Sequence, residues 1–288
     1  MAKIINGKKL AEGIKGKVVK EILGLNHNQT CPQDRPNLAI VLVGERPDSK
    51  LYVDLKEKEA VKVGIDTHVY RCDESVSEEE ILQTMDYLNN DETIDAILVQ
   101  LPLPKKFNTD KIIKAIDPAK DVDGFHPDNL KVLTSTCNHQ HVMPPVFEVV
   151  LEILQNIKFD LKNKKVCLVI NSDIFGRGLV EVLRCRGAEV EAAHCDDPDL
   201  AKKTVRADVL VTVVGKPKFI SADMIKEGAV VIDVGITKEG DKVYGDVDFF
   251  QAQEKAGFIT PVPGGVGPMT IAMLFKNTLV LYKRRRGK

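Results

Sequence analysis

The sequence predicts an α/β fold of the doubly wound type, arranged as two lobes. Short β-branched runs alternate with helical-period segments from one end of the 288 residues to the other, the pattern of parallel βα units rather than of a sandwich or bundle. A cluster of turn formers interrupts the alternation midway, between residues 117 and 143. The length is enough for burial of apolar surface to hold each lobe without staples.

The elements follow in order. Strands are expected at 38–43, 67–71, 96–100, 166–170, 189–193, 209–213 and 230–234, with amphipathic stretches such as 50–63, 78–88 and 179–186 between them. After the last strand, the Pro/Gly-dense PVPGGVGPMT leads into a helical run at 271–282 with no strand left to precede. That orphan helix is expected to cross back and pack on the first lobe. The expected division is 1–143 for the first lobe, completed by 268–288, and 144–267 for the second. No repeat of fixed period and no low-complexity tract is present.

Composition excludes several partner classes. With 29% charged residues and a formal net charge of -1, the chain has no global field for nucleic acid or an anionic membrane. The basic ending KRRRGK reads as a solvated helix end, since cations complement the carbonyl end of a helix. No stretch approaches the roughly 20 apolar residues that span a bilayer, and the first residues lack an h-region. Cys31, Cys72, Cys137, Cys167, Cys185 and Cys195 form no CxxC pair, and several sit in apolar runs where a reduced thiol packs as a small hydrophobe. A cytoplasmic protein with reduced thiols and no metal site is the expectation.

Four places attract chemistry. Tyr52 and Lys56 are four apart in a helical segment, so both side chains fall on one face and can serve one pocket. Alone, such a pair is more often a snorkelling surface pair than a catalytic one. Gln100 closes a strand before LPLP, at the carboxyl end where open α/β sheets bind ligands. Asp123 precedes Gly124 in DVDGF, where the plain reading is an Asx-type turn. In PVPGGVGPMT, prolines stiffen the backbone while glycines let it approach a flat ligand.

The order of motifs is specific. YxxxK, VQLPLP, KDVDGFHP, GKP, GAVVIDVGI, GDVDF and TPVPGGVGPMT, spread from about residue 38 to residue 280, resemble the bifunctional methylenetetrahydrofolate dehydrogenase/cyclohydrolase family. That resemblance implies a Rossmann-like second lobe and a folate cleft between the lobes. It implies Lys56 as the acid/base group, Gln100 hydrogen-bonded to it, Asp123 accepting bonds from the pterin, and Tyr52 stacked along the folate. Val99, Leu101, Pro263, Gly264, Gly265, Val266, Gly267 and Pro268 would line the same site. The family oxidises 5,10-methylene-tetrahydrofolate with a nicotinamide and hydrolyses the methenyl product to 10-formyl-tetrahydrofolate. It also implies a homodimer formed through the second lobe.

Those residue types suit that chemistry. A free lysine with a pKa of about 10.4 is neutral only about once in 2,500 at pH 7, so a proton-relaying lysine needs its charged form disfavoured. A neutral amide at Gln100 orients the amine with little pull on its proton. A carboxylate at Asp123 accepts two parallel bonds from adjacent N–H groups and fixes a ring in one register.

The dinucleotide signal is a strand, NSDIFGRG and a helix, without a full GxGxxG. By resemblance Ile170, Asn171, Ser172, Ile174 and Gly176 fall on the cofactor loop, His194, Cys195 and Asp196 follow the next strand, and Gly215 and Ile236 complete the site. The family commonly has a basic or polar residue where Asp196 and Asp197 stand. An acid there favours ribose hydroxyls and repels a 2′-phosphate, so NAD stands beside NADP, the family's usual cofactor. VMPPVF places Pro144 and Phe147 where Thr and Gly are expected, and Lys131 stands where Gly is common. Two rivals differ in class. A short-chain dehydrogenase would carry its glycine-rich loop ahead of the Tyr/Lys pair, and none precedes it; a folate- or nucleotide-binding regulator would keep the fold without turnover.

Overall fold

A computed structural model describes residues 1–26, 35–137, 142–171, 173–240 and 242–287. Cys31 and Ser172 lie outside the described residues. In chain order the strands are β1 (Lys3–Ile4), β2 (Asn37–Val43), β3 (Asp66–Cys72), β4 (Ala96–Val99), β5 (Lys165–Ile170), β6 (Glu189–His194), β7 (Val209–Val213), β8 (Val230–Asp233), β9 (Thr237–Glu239), β10 (Lys242–Tyr244) and β11 (Phe258–Ile259). The helices are α1 (Gly7–Asn26), α2 (Pro47–Val63), α3 (Glu78–Asn90), α4 (Thr109–Lys114), α5 (Pro127–Thr136), α6 (Pro145–Asn156), α7 (Asp173–Arg184), α8 (Leu200–Thr204), α9 (Phe249–Ala252) and α10 (Val266–Arg285).

The chain forms two compact units, one of Glu12–Val132, Asn138–Pro145 and Ile271–Lys288, the other of Met1–Ala11, Leu133–Cys137 and Val146–Thr270. In the first, β3, β2 and β4 form a parallel sheet in that order. β2 reads NLAIVLV because both its faces are covered, as in sheets built from βαβ crossovers. Leu38, Ile40 and Leu42 pack with Val18 and Ile22 of α1 and with Ile271, Leu274, Phe275 and Leu279 of α10. Ala39, Val41 and Val43 face Ile81, Met85 and Leu88 of α3. The C-terminal helix thus closes one side of the first sheet, as its sequence position suggested. α3 begins with a capping box, Ser77 accepting from Glu80 N–H and the Glu80 carboxylate accepting from Ser77 N–H.

The second unit holds a six-stranded sheet in the order β1-β11-β8-β7-β5-β6, all of whose pairs are parallel. From β5 the chain moves outward to β6, then crosses back to β7 on the other side. That reversal is the topological switch point beside which ligands of such sheets bind. Residues 1–11 lie with this unit rather than with the first half of the chain, because β1 pairs with β11 (Lys3↔Phe258, Ile4↔Ile259). Strands of two residues have no period to read. Their existence depends on a partner from the far end of the sequence.

Cys137 and Cys185 form a disulfide, with Cα atoms 5.6 Å apart, which corrects the expectation of reduced thiols throughout. The pairing joins the residue after α5 to the residue after α7, a juxtaposition that spacing along the chain does not reveal. Cys72, Cys167 and Cys195 are free, and burial pushes the Cys167 thiol up to about 12. No described helix is long and apolar enough to cross a membrane.

Candidate active site

α2 starts at Pro47, whose missing N–H and fixed φ suit a first helical position. Its inward face carries Ser49, Tyr52, Val53 and Lys56, where Tyr52 and Val53 each stand three or four residues, one turn, from both Ser49 and Lys56. The Lys56 ammonium donates to Gln100 Oε1 at 2.8 Å, and the Gln100 amide nitrogen donates to the Leu101 carbonyl at 2.7 Å. The second bond fixes which end of the amide faces the lysine. Gln100 follows β4 by one residue, and its backbone N–H still bonds to Val41 O at 2.9 Å, so the ladder with β2 sets its position. Val99 is buried, and the Leu101–Pro102 peptide that ends the strand direction is cis.

Asp123 reaches the same place by a different route. The segment before it pairs alongside β4, with Ile97 N–H bonded to Lys120 O at 2.8 Å and an isolated parallel bridge between Ile97 and Asp121. Asp123 therefore emerges two residues beyond that bridge, near the carboxyl end of the sheet. The turn carboxylate is Asp121 and not Asp123. Asp121 accepts from Gly124 N–H at 3.0 Å, His126 N–H at 2.8 Å and Asn129 Nδ2 at 3.0 Å. Asp123 has no hydrogen bond among the described residues and is left for the site. Gly124 sits at φ +67°, and a Cβ there would come within 3.0 Å of the Met143 carbonyl carbon and Pro144 nitrogen. Only glycine fits that turn.

Two buried polar groups hold this loop from behind, and the sequence reading missed both. The Lys120 ammonium donates to the carbonyls of Leu88, Asn89 and Asp91 at 2.9, 2.7 and 2.8 Å, capping the end of α3. Asn277 of α10 donates to Val122 O at 3.1 Å and Met143 O at 2.9 Å. Ser49 was missed as well. Its hydroxyl is buried without a hydrogen-bond partner among the described residues, on the Tyr52 and Lys56 face. Its seven-residue spacing from Lys56 was the available signal.

The electrostatics follow from burial. Burial holds the Lys56 amine below the ordinary lysine value, and the Asp123 carboxylate pulls the other way. Asp123 is pushed up to about 6, first by burial, with Lys56 drawing it down and Asp121 raising it. Burial and the Asp48 charge raise the Tyr52 phenol. An amine inclined to lose its proton beside a carboxyl that titrates near neutrality can take up and return a proton.

In the second unit the expected cofactor residues gather at the carboxyl ends of the strands around the switch point. Ile170 ends β5, and Asn171 donates its amide to Val214 O at 2.8 Å, tying the loop after β5 to the loop after β7. Gly176 packs so close that a Cβ would lie 2.4 Å from Ile170 Cδ1. That is the helix-to-strand approach for which dinucleotide loops use their last glycine. Only the backbone of Ile174, within α7, is described. His194 ends β6, Cys195 Sγ lies 3.2 Å from Lys216 Nζ, and Asp196 is exposed. Gly215 follows β7, and Ile236 follows β8 with 42% of its surface exposed. In the Pro/Gly loop the Val262–Pro263 peptide is cis, and Lys8 N–H bonds to Gly264 O at 3.2 Å. Gly265 follows in the same loop, and Val266, Gly267 and Pro268 stand in the first turn of α10.

Fold and site together define an α/β protein with a lysine–amide–carboxylate cluster on one parallel sheet and a dinucleotide-type switch point on another. Residues 5–123 match the catalytic domain of tetrahydrofolate dehydrogenase/cyclohydrolase, and residues 144–286 match the NAD(P)-binding domain of the same enzymes. The chain belongs to the tetrahydrofolate dehydrogenase/cyclohydrolase family. It is 46% identical to the bifunctional protein FolD of Nitratiruptor sp. over 98% of this chain and 99% of that one. Among solved structures it resembles FolD of Campylobacter jejuni (37% identity, TM-score 0.93, 99% of this chain and 100% of that one). It also resembles the Trypanosoma brucei enzyme complexed with NADP and an inhibitor (33% identity, TM-score 0.93, 98% of each chain).

Proposed function

We propose that this protein oxidises 5,10-methylene-tetrahydrofolate to the 5,10-methenyl form with NAD(P) and hydrolyses that product to 10-formyl-tetrahydrofolate. The observation that carries the reading is the half-buried Lys56 amine, held on a neutral amide 2.8 Å away and kept below its ordinary pKa by burial. In this reading Lys56 accepts a proton from the water that attacks the methenyl carbon and returns it as the ring opens. Gln100 aims the amine without stabilising the ammonium as an anion would. Asp123 accepts from the pterin N–H groups, Tyr52 lies along the folate ring system, and the buried Ser49 hydroxyl has bonding capacity to offer. Val99 and Leu101 border the folate on the same unit.

A nicotinamide, when bound, supplies the hydride acceptor. Ile170, Asn171, Ser172, Ile174, Gly176, His194, Cys195, Asp196, Gly215 and Ile236 would hold the dinucleotide, and the close packing of Gly176 on Ile170 fits such a ligand. The exposed Asp196 supports use of NAD, because a carboxylate suits ribose hydroxyls and opposes a 2′-phosphate. Assembly as a homodimer through the second unit is part of the proposal, supported by β6 standing at the edge of its sheet. A cytoplasmic location belongs to it too. Single-turnover absorbance of methenyl formation with NAD or NADP, together with hydrolysis of supplied methenyl-tetrahydrofolate, tests the reading. A regulator without turnover would bind folate and leave both signals flat.

A further inference from the structure

We propose that the paired carboxylates Asp233 and Asp246, which no catalytic step uses, are positioning residues that fix the loops after β7 and β8 for the dinucleotide. The inference rests on the second unit being the NAD(P)-binding one. Both side chains are buried, Asp246 at 0% and Asp233 at 3% exposure. Asp246 Oδ2 accepts from the Thr212 hydroxyl at 2.9 Å and from Val214 N–H at 2.6 Å, while Oδ1 accepts from Lys216 N–H at 2.9 Å. Asp233 Oδ1 accepts from Gly235 N–H at 3.0 Å and Asp246 N–H at 3.1 Å, and its Oδ2 from Val247 N–H at 2.9 Å. Its own N–H donates to the Thr260 hydroxyl at 2.8 Å, one residue before the Pro/Gly loop.

Two adjacent buried acids are a costly means of securing loops for stability alone, since like charges and desolvation both oppose ionisation. Burial, with the Asp246 charge adding to it, pushes Asp233 up to about 7. What the pair achieves is directional. The amides on either side of Gly215 both turn inward to Asp246, so the loop presents Gly215 outward, where no atom lies within 4 Å of its missing side chain. Gly235 N–H is likewise turned inward to Asp233, and the next residue, Ile236, stands exposed. Bare backbone and one apolar side chain are thereby held at the carboxyl ends of β7 and β8, beside the switch point, where a flat dinucleotide can lie against them.

The test measures NAD and NADP binding by calorimetry and hydrolysis of methenyl-tetrahydrofolate on the same preparations. Asp246→Asn replaces one acceptor oxygen with a donor facing backbone N–H groups. Dinucleotide affinity is expected to fall about tenfold or more, about 1.4 kcal/mol, with hydrolysis changed by no more than about twofold. Faster hydrogen exchange at the Val214 and Lys216 amides should accompany the loss. If Asp246→Asn does not fold, Thr212→Val removes a single donor to the same oxygen, and a fall of about two- to fourfold is expected. Unchanged dinucleotide affinity in the folded variant, or an equal loss of hydrolysis and binding, overturns the proposal. Absence of hydrolysis by the parent protein would instead count against the functional reading on which it rests.

Discussion

Lys56 and Gln100 meet at 2.8 Å although 44 residues separate them, one on the helix after β2 and the other at the end of β4. The contact exists because β2 and β4 are parallel neighbours and Gln100 continues their ladder. Everything asked of the lysine depends on that amide being uncharged.

Replacing Lys56 with Met removes the amine but keeps an unbranched apolar stem of similar reach. Methenyl hydrolysis is expected to fall by about 100-fold to 10,000-fold, the usual worth of a positioned acid/base group, with folate binding still measurable by calorimetry. Hydrolysis at the parent rate would show that Lys56 carries no proton.

Gln100→Glu places a carboxylate where the amide now accepts from Lys56. The new anion should raise the lysine pKa, so the acidic limb of the hydrolysis profile moves to higher pH. Stability responds with a definite sign. Burial lowers the Lys56 pKa in the fold, so between that value and 10.5 the unfolded chain holds the extra proton and stability rises with pH. The variant should flatten that rise in urea titrations at several pH values. An unmoved rate limb would mean that Gln100 does not govern the amine.

Asp196→Ser removes the exposed carboxylate that follows β6. The ratio of kcat/KM with NAD to that with NADP is expected to shrink by about tenfold, near the worth of one unfavourable charge contact. A ratio that stays where it was takes Asp196 out of cofactor choice.

Gly124→Ala should destabilise by about 1–3 kcal/mol, because φ is +67° and the new Cβ would press on the backbone of Met143 and Pro144. The control is Gly16→Ala in α1, where nothing lies within 4 Å and alanine should stabilise by about 0.5–1 kcal/mol. Urea midpoints compare the two. Equal effects would mean that the DVDGF turn is not strained by a side chain.

Much of the fold could be read from periodicity, because the central strands are buried on both faces and so appear as unbroken apolar runs. β2 and β5 are of this kind. The strand expected at 67–71 extends to Asp66–Cys72, and the helix expected at 271–282 extends to Val266–Arg285. Ends differ because capping and ladder bonds settle them, and those involve residues outside the periodic run. β1 and β11 were invisible for a stronger reason, since neither has a pattern apart from the other. The site divides in the same way. Tyr52 and Lys56 share a helix face by spacing alone, whereas Ser49, Lys120 and Asn277 gain meaning only from what surrounds them.

The sequence by itself determined the class of fold, the residue types at the site and the motif order that marks the family, since these follow from local period and from chemistry written in consecutive residues. Tertiary structure decided which carboxylate in DVDGF ties the turn and which is left for chemistry, that Cys137 meets Cys185, and that the first residues of the chain complete a sheet begun much later. The physical reason is that burial and hydrogen-bond partnership are properties of neighbours in space, and a side chain's pKa, like its role, is set by them.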